Sequence, residues 1–406
     1  MPTTAELDQI INRKGTACTK WDYEFTPQGV PQPRISSDDV LAIDNQLQLW
    51  IADMDFRSPQ AVIDALVARA QHGIFGYTMP PQSYYDAIIG WMQKRHNWTI
   101  KQEWILSSPG VKPSLSAILQ AFTQPGDGVL IQTPIYHPFY DLIERNGREI
   151  MHNPLIENAD RYEIDWADFE QKVANPKTTM VMLCHPHNPV GRVWTHDELK
   201  RMGQLCVEHN AYFAADEIHA DLTFPWSNLA TIGVACADTM HNNFVCTSPT
   251  KTFNLPGLKA SNVIVSNPDL RAKVQNQFLM NNIRGINLMG AVALEAAYAH
   301  GEAWLNDVMA YVEANYWFTK EYISEHLPQL NLYKPEASYL LWVDCRALGL
   351  EANELHNILC EKANVKLNKG SVFGDAGAGF MRINIGCPRP ILAAALERMC
   401  RTLQEV

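Results

Sequence analysis

The chain has 406 residues, of which 47% are hydrophobic and 19% charged, a composition that supports a sizeable core and excludes a disordered protein. Its formal net charge is −11 and it has no lysine- or arginine-rich block, which disfavours nucleic acid as the main partner. Residues 1–9 do not form a signal peptide, no apolar stretch reaches the roughly 20 residues needed to span a bilayer, and the nine cysteines are scattered without a CxxC pair, so we expect a reduced cytoplasmic protein.

The N-terminal part of the chain changes character near residue 50. Residues 1–50 are polar and irregular, and they predict an arm that packs with a C-terminal domain. A helix is predicted over 59–71, with Ser58 as its N-cap and Pro59 in its first position. A second helix is predicted over 113–122 because its apolar residues share one face.

Short apolar runs separated by helical segments follow. Continuous apolar strands are typical of a mostly parallel sheet covered by helices on both faces, so we predict an α/β fold. A large domain over 51–300 and a smaller α/β domain over 301–406 are expected. The predicted strands of the large domain are 129–131, 179–184, 211–215, 243–247 and 262–265, and those of the small domain are 339–343 and 380–385, with a helix from Glu351 between them.

A glycine turn before the second predicted helix is a candidate phosphate site. It contains Gly110, Val111 and Lys112. Free backbone N–H groups at a helix start attract phosphate, although a glycine turn in this position is more often only a cap. Ser248 and Lys259 can add a hydroxyl donor and a positive charge.

Four residues near predicted strand ends can contact a flat heterocycle. Tyr136 can stack on such a ring, although a core or rim aromatic is an equal alternative. Asn188 can donate to a ring oxygen or form an ordinary Asn-Pro turn. Asp216 ends a predicted strand, where a buried carboxylate needs a partner such as a pyridinium nitrogen, a helix cap or a cation. His219 can buttress the ring or be structural.

Lys251 lies between hydroxyl-bearing residues just after an apolar run, a poor place for a surface charge. With Asn188 and Asp216 it forms the set that an enzyme needs to hold pyridoxal phosphate, because the lysine forms a Schiff base and the acid partners the pyridinium nitrogen. Arg382 lies in an apolar strand, where burial is costly without a partner. It can bind a substrate carboxylate in bidentate fashion or form a structural ion pair.

His185 and His187 form an H-x-H pair after a predicted strand. Zinc sites need three or four ligands with supporting hydrogen bonds. No third and fourth ligand follows in the pattern, so we predict no metal.

These motifs together resemble the class I and II aminotransferases, which are fold type I pyridoxal phosphate enzymes. The resemblance implies a large domain with a mostly parallel seven-stranded sheet between helices, pyridoxal 5′-phosphate as cofactor, and Lys251, Asp216 and Tyr136 as catalytic residues. The motifs that carry it are Asn188-Pro189-x-Gly191, Asp216-x-x-His219, Ser248-x-x-Lys251 followed by Lys259, and Arg382 in an R-x-N-x-x-C-P-R string.

Finer features resemble the MalY/PatB-type cystathionine β-lyase branch of that family. This resemblance implies a C–S β-lyase that releases thiol, pyruvate and ammonia, in methionine and cysteine metabolism, with aminotransfer by the same residues as the alternative. It also implies a homodimer in which Tyr77 reaches the neighbouring active site, and substrate contacts from Arg382, Tyr77 and Asn188. The features are Arg13-Lys14-Gly15-Thr16, Lys20-Trp21-Asp22, the run from Trp50 to Phe56, and Phe75-Gly76-Tyr77.

Three lysines depart from the pattern of the family. Lys259 stands where many members have a phosphate-binding arginine, Lys366 where a small residue is common, and Lys369 where proline is frequent. A purely binding or regulatory role is disfavoured, because such a protein has no need of the intact set of Lys251, Asp216 and Arg382.

Overall fold

The computed structural model describes residues 2–26, 28–34, 37–158 and 161–405. The chain forms two compact units. The large unit is Arg57–Asn306 with Glu336–Ser338, and the small unit is Met1–Phe56 with Asp307–Pro335 and Tyr339–Val406. The domain limits expected from the sequence at residues 50 and 300 stay predictions. Within the described ranges, no helix is long and apolar enough to cross a membrane.

The helices of the described residues range from one turn to seven turns. They are α1 (Thr4–Leu7), α2 (Thr19–Asp22), α3 (Gln60–Gln71), α4 (Gln82–His96), α5 (Val111–Phe122), α6 (Pro138–Arg145), α7 (Trp166–Val173), α8 (His196–Glu208), α9 (Ile232–Ala235), α10 (Pro249–Thr252), α11 (Pro268–Met280), α12 (Leu288–His300), α13 (Glu302–His326), α14 (Ala352–Asn357) and α15 (Arg389–Leu403).

The strands of the same residues are short. They are β1 (Tyr23–Phe25), β2 (Pro31–Pro33), β3 (Leu47–Gln48), β4 (Ile105–Ser108), β5 (Gly128–Thr133), β6 (Glu149–Pro154), β7 (Ile156–Asn158), β8 (Arg161–Glu163), β9 (Thr178–Cys184), β10 (Tyr212–Asp216), β11 (Asn243–Thr247), β12 (Ser261–Ile264), β13 (Asn331–Leu332), β14 (Leu340–Asp344), β15 (Val365–Lys366), β16 (Asn368–Lys369) and β17 (Phe380–Asn384).

A seven-stranded sheet in the order β4-β12-β11-β10-β9-β5-β6 forms the centre of the large unit. Strands β6, β5, β9, β10 and β11 pair in parallel, whereas β12 is antiparallel to both of its neighbours. The prediction of a mostly parallel seven-stranded sheet between helices is confirmed. Its central strands are buried almost throughout because both faces are covered. Leu115 and Ile118 of α5 are fully buried in the core of one face.

The two helices expected from the sequence are confirmed with shifted starts. Helix α3 begins at Gln60, and Pro59 is its N-cap residue without a side-chain hydrogen bond. The prediction that Ser58 caps this helix is wrong, because its hydroxyl donates to the Asn254 carbonyl at 3.2 Å instead. Helix α5 begins at Val111, since proline fits within a helix's first turn, where its N–H is not needed.

The small unit combines the N-terminal arm with the C-terminal part of the chain. Its main sheet has the antiparallel order β13-β14-β17-β16, and β3 of the arm pairs in parallel with β15. The Arg398 guanidinium donates to the carbonyls of Leu41, Ala42 and Asn45 at 2.7–2.9 Å. These backbone contacts fix the arm within this unit.

Three of the family-like motifs meet in a buried ion-pair network of the small unit. Lys20 is 1% exposed, and its ammonium lies 2.6 Å from Asp55. The Arg13 guanidinium lies 2.7 Å from Asp55 and 2.8 Å from Asp53. Trp21 donates its ring N–H to Asp55 at 2.9 Å. A buried ammonium is tolerated because carboxylates and hydrogen bonds replace its hydration.

Candidate active site

The central strands of the large unit end together at one edge of the sheet. Asp216 is the last residue of β10, and it pairs with Cys184 of β9 and Cys246 of β11. Because these strands are parallel, the residues that follow them, including Asn188 and Ser248, emerge at the same edge. In open α/β sheets this is where ligands bind.

Asp216 is buried at this edge with 4% of its surface exposed. Burial raises the pKa of its carboxyl to about 6, while a hydrogen bond from the Ile218 N–H, at 3.1 Å, and the positive charge of Lys251 act in the opposite direction. The structure therefore brings Asp216 and Lys251 together. A buried carboxylate of this kind gains most from a cationic N–H, as in a protonated pyridine ring.

Lys251 lies on the one-turn helix α10, which is held at both ends. The Ser248 hydroxyl accepts a hydrogen bond from the Thr250 N–H at 3.1 Å and donates to the Ala260 carbonyl at 2.7 Å. At the other end, Thr252 donates to Asp221 at 2.7 Å. The amine is thus carried on a fixed turn.

Asp221 and its partners were not found by sequence reasoning. Its buried carboxylate also accepts from the ring N–H groups of Trp91, at 2.9 Å, and His96, at 2.8 Å. Burial acts to lower the pKa of His96, but the hydrogen bond and charge of Asp221 outweigh it and raise that pKa. The only sequence signal was an acid near Asp216, since His96 lies 125 residues upstream.

Glu217 is a second buried acid that sequence reasoning missed. Burial raises the pKa of its carboxyl to about 7, against hydrogen bonds from Thr231 at 2.6 Å and the Ile232 N–H at 2.7 Å. Both oxygens accept hydrogen bonds at the start of α9, so the Glu217 carboxyl caps this helix.

The glycine turn before α5 has the features of a phosphate-binding helix start. Gly110 precedes the helix with extended backbone and no side-chain cap. The N–H groups of the first turn, including those of Val111 and Lys112, have no acceptor within the helix. A bound phosphate can supply a hydrogen-bond acceptor for these groups. Lys112 and Lys259 are both exposed in the large unit, and Lys259 has a left-handed backbone with φ 52°.

Asn188, Tyr136 and His219 lie near the same strand ends. Asn188 is buried within a turn in which the His187 N–H donates to the Arg192 carbonyl at 2.7 Å. Tyr136 is half-buried and meets Phe139 edge to face. His219 is buried, and its Nδ1 lies 3.3 Å from the Ser338 hydroxyl.

His185 and His187 bind backbone rather than each other. The Nε2 of His185 lies 2.9 Å from the Ala230 carbonyl, and that of His187 lies 2.8 Å from the Pro134 carbonyl. Burial lowers the pKa of both rings to about 4, so both are neutral donors at pH 7. In the described ranges, no group of three or more His, Cys, Asp or Glu side chains could hold a metal ion.

Tyr77 and Arg382 differ in their burial. Tyr77 is fully exposed in an irregular segment of the large unit. Arg382 belongs to the small unit, where it is 3% exposed, donates to the Trp50 carbonyl at 2.9 Å and lies over the Phe373 ring at 4.8 Å.

The large-unit residues fit pyridoxal phosphate by their chemistry. Lys251 offers an amine for an aldehyde, Asp216 a buried acid for a ring nitrogen, and the start of α5 a set of N–H groups for a phosphate.

Comparison with known proteins agrees with this chemistry. Residues 44–399 match the family model of class I and II aminotransferases. Cystathionine β-lyase PatB of Bacillus subtilis strain 168 is 41% identical over 97% of this chain and 98% of that protein.

Two solved structures share the fold over almost all of the chain. A pyridoxal phosphate-bound protein from Clostridium difficile 630, named as a candidate aminotransferase, has a TM-score of 0.90 and 38% identity, covering 98% of this chain and 99% of that one. Cystalysin from Treponema denticola, which contains pyridoxal 5′-phosphate, has a TM-score of 0.90 and 30% identity, covering 98% of both chains.

Proposed function

The chain belongs to the class I and II aminotransferase family, and we propose that it is a pyridoxal phosphate-dependent C–S β-lyase. Its substrate is cystathionine or a related cysteine thioether. The observation that carries the proposal is the buried Asp216 carboxylate beside the Lys251 amine at the sheet edge. The 41% identity to a cystathionine β-lyase supports the choice of reaction.

Each site residue has a separate task in this proposal. When bound, the cofactor supplies an aldehyde for the substrate amine and a ring that accepts the electron pair left at Cα. Lys251 would hold the cofactor through its amine, and the same amine would remove the Cα proton of the substrate as a general base. Asp216 would keep the ring nitrogen protonated, and Asn188 would donate to the ring oxygen. Tyr136 would stack on the ring, and His219 would support it from the strand edge.

The remaining residues hold the phosphate and the substrate. The N–H groups of Gly110, Val111 and Lys112 around the start of α5, the Ser248 hydroxyl and the Lys259 ammonium would bind the phosphate. Arg382 binds the α-carboxylate of the amino acid, to which a guanidinium is geometrically matched.

The bonds balance without any oxidant. The Cα–H bond breaks and its proton passes to Lys251. The Cβ–S bond then breaks, with its electron pair leaving on sulfur as a thiolate that takes up a proton. The three-carbon enamine that remains reacts with one water and yields pyruvate and ammonia. No 2-oxo acid is consumed.

Aminotransfer is the second candidate function, and two observations favour it. The family model carries that name, and one of the structures with a TM-score of 0.90 is assigned as a candidate aminotransferase. Aminotransfer would use the same residues, but its turnover requires a 2-oxo acid acceptor.

We also propose that the active unit is a homodimer. The segment that carries Tyr77 exposes a cluster of large apolar side chains, which monomers seldom leave uncovered. In the dimer, Tyr77 contacts the phosphate and substrate of the neighbouring subunit. The nine cysteines are all free, which suits a reducing cytoplasm and a place in methionine and cysteine metabolism. The exposed side chains are Ile74, Phe75, Tyr77 and Met79.

The decisive experiment measures product formation without an acceptor. Purified holoenzyme incubated with cystathionine should release pyruvate and thiol in equal amounts when no 2-oxo acid is present. A strict requirement for a 2-oxo acid would favour the aminotransferase. Lys251→Ala should abolish turnover and the visible absorbance of the lysine-bound cofactor. Lys177→Ala is the matched control, because that lysine is exposed and pairs with Glu149 at the surface.

A further inference from the structure

Two half-buried cations, Arg34 and Lys366, lie in one corner of the small unit. The Lys366 ammonium lies 4.4 Å from the centre of the Trp50 ring. Arg34 donates from Nη1 to Gln46 Oε1 at 2.6 Å, and Gln46 is joined to Trp50 through Gln48 by hydrogen bonds of 3.2 and 3.0 Å. The two cations therefore contact the two ends of one series of hydrogen-bonded side chains, Arg34 at Gln46 and Lys366 at the Trp50 ring.

These cations lack the acid that half-buried charges normally have. Over the described ranges, neither forms an ion pair, and the Lys366 ammonium has no hydrogen-bond acceptor. The Nε of Arg34 is buried with no hydrogen-bond partner. Two adjacent positive charges in this state form a site prepared for an anion.

The pKa directions agree with this geometry. Burial lowers the pKa of Lys366, and the positive charge of Arg34 lowers it further. Burial also lowers the pKa of Arg34. The exposed carboxylate of Glu24 and the thiol of Cys360 act in the opposite direction on both groups without reversing the shift. An anion between the two cations would remove this repulsion.

The pair is joined to Arg382 through Trp50. The Trp50 carbonyl accepts from Arg382 Nη2 at 2.9 Å and from Asn368 Nδ2 at 2.9 Å. The Lys366 ammonium lies over the ring of the same residue. One residue thus separates the proposed α-carboxylate site from the cation pair, within a single unit.

We propose that Arg34 and Lys366 form an anionic subsite that binds a second carboxylate, carried on the sulfur substituent of the thioether substrate. This inference rests on the proposed function, and it makes cysteine thioethers whose sulfur substituent ends in a carboxylate the preferred class. It also gives a role to Lys366, which stands where relatives of this kind commonly have a small residue.

The test compares two substrates that differ only in the distal charge. S-(2-carboxyethyl)cysteine has a terminal carboxylate, and its primary amide has the same shape without the charge. Lys366→Met should lower kcat/KM for the acid about 10-fold, which is the effect of one lost charge-assisted hydrogen bond. The same variant should change kcat/KM for the amide by no more than about 2-fold. Lys366→Arg should restore the preference for the acid. Lys369→Met is the matched control, since that lysine binds Asn353 at 2.9 Å instead.

A binding measurement keeps the subsite testable if elimination is not the reaction. Pimelate has the same chain length between its carboxylates, and calorimetry on the holoenzyme compares it with its monoamide. Tighter binding of pimelate that disappears in Lys366→Met supports the subsite even if no thiol is released, in which case only the proposed function fails. Equal losses for acid and amide, or no loss for either, overturn the subsite.

Discussion

Thr252 donates a hydrogen bond from Oγ1 to Asp221 at 2.7 Å, one residue after the proposed catalytic lysine. The same carboxylate binds the side chains of Trp91 and His96 on α4. One buried acid therefore ties the helix that carries Lys251 to a long helix of the large unit. Burial acts to raise the pKa of Asp221, but the hydrogen bonds from His96, Thr252 and Trp91 outweigh it and lower that pKa.

Asp221→Ala should lower the free energy of unfolding by about 3 kcal/mol or more, because it leaves the buried side chains of Trp91, His96 and Thr252 without their hydrogen-bond acceptor. Urea unfolding at pH 7 measures this change. Asp86→Ala is the control: Asp86 is exposed on α4 and accepts a hydrogen bond from exposed Gln82, so its loss should change stability by about 0.5 kcal/mol or less. A loss for Asp221→Ala as small as that of the control would contradict the structural role.

The buried charge of Asp216 lowers the stability of the folded protein, although the proposed function depends on that charge. Its folded pKa of about 6 lies above its ordinary value of 3.8, so the folded state binds this proton more tightly than the unfolded chain does. The resulting stability is complete below about pH 4 and is lost as pH rises through about 6.

In cofactor-free protein, Asp216→Asn should therefore raise the free energy of unfolding by about 1–3 kcal/mol at pH 8 and by nearly nothing at pH 4. Denaturant unfolding at the two pH values measures the difference. The same variant should lose about 10²-fold or more in kcat, because the ring nitrogen loses its charged partner. A stability difference that is the same at both pH values would contradict the assignment of the buried charge.

The sequence predicted the parts of the fold that hydrophobic patterning determines. Strands such as β9 and β11 have continuous apolar centres because helices cover both faces of the sheet, so they could be located from composition. The edge strand β6 mixes polar and apolar residues without a continuous apolar run, and it was missed. The antiparallel direction of β12 was missed as well, because a buried strand reads the same in either direction.

The candidate site divides in a similar way. Asp216 and Lys251 were predicted because each follows an apolar strand and belongs to a spaced motif. The partners of Asp221 and the cation pair of Arg34 and Lys366 were not, since these contacts join segments that are distant in the chain and depend on tertiary packing. Local patterns do not encode such contacts.

A hybrid experiment tests the proposed homodimer and the position of Tyr77. Tyr77→Ala and Lys251→Ala should each be strongly impaired alone. In a mixed dimer, one site combines the wild-type Lys251 of one subunit with the wild-type Tyr77 of the other, so activity should return after the two variants are dissociated and reassembled together. No recovery, with mixed dimers shown by a mass tag, would mean that Tyr77 does not act across subunits.

Two glycines in the large unit should respond to the same substitution with opposite signs. A Cβ at Gly233, on α9, would lie 2.1 Å from the ring of buried Trp98, so Gly233→Ala forces a shift in the core and should cost about 1–3 kcal/mol. Gly90 lies within α4 with open space around the same position. Gly90→Ala should stabilise the protein by about 0.5–1 kcal/mol, because alanine loses less backbone entropy in a helix. Urea unfolding of both variants measures the pair, and a loss at Gly90 as large as that at Gly233 would mean that helix α4 is packed differently on that face.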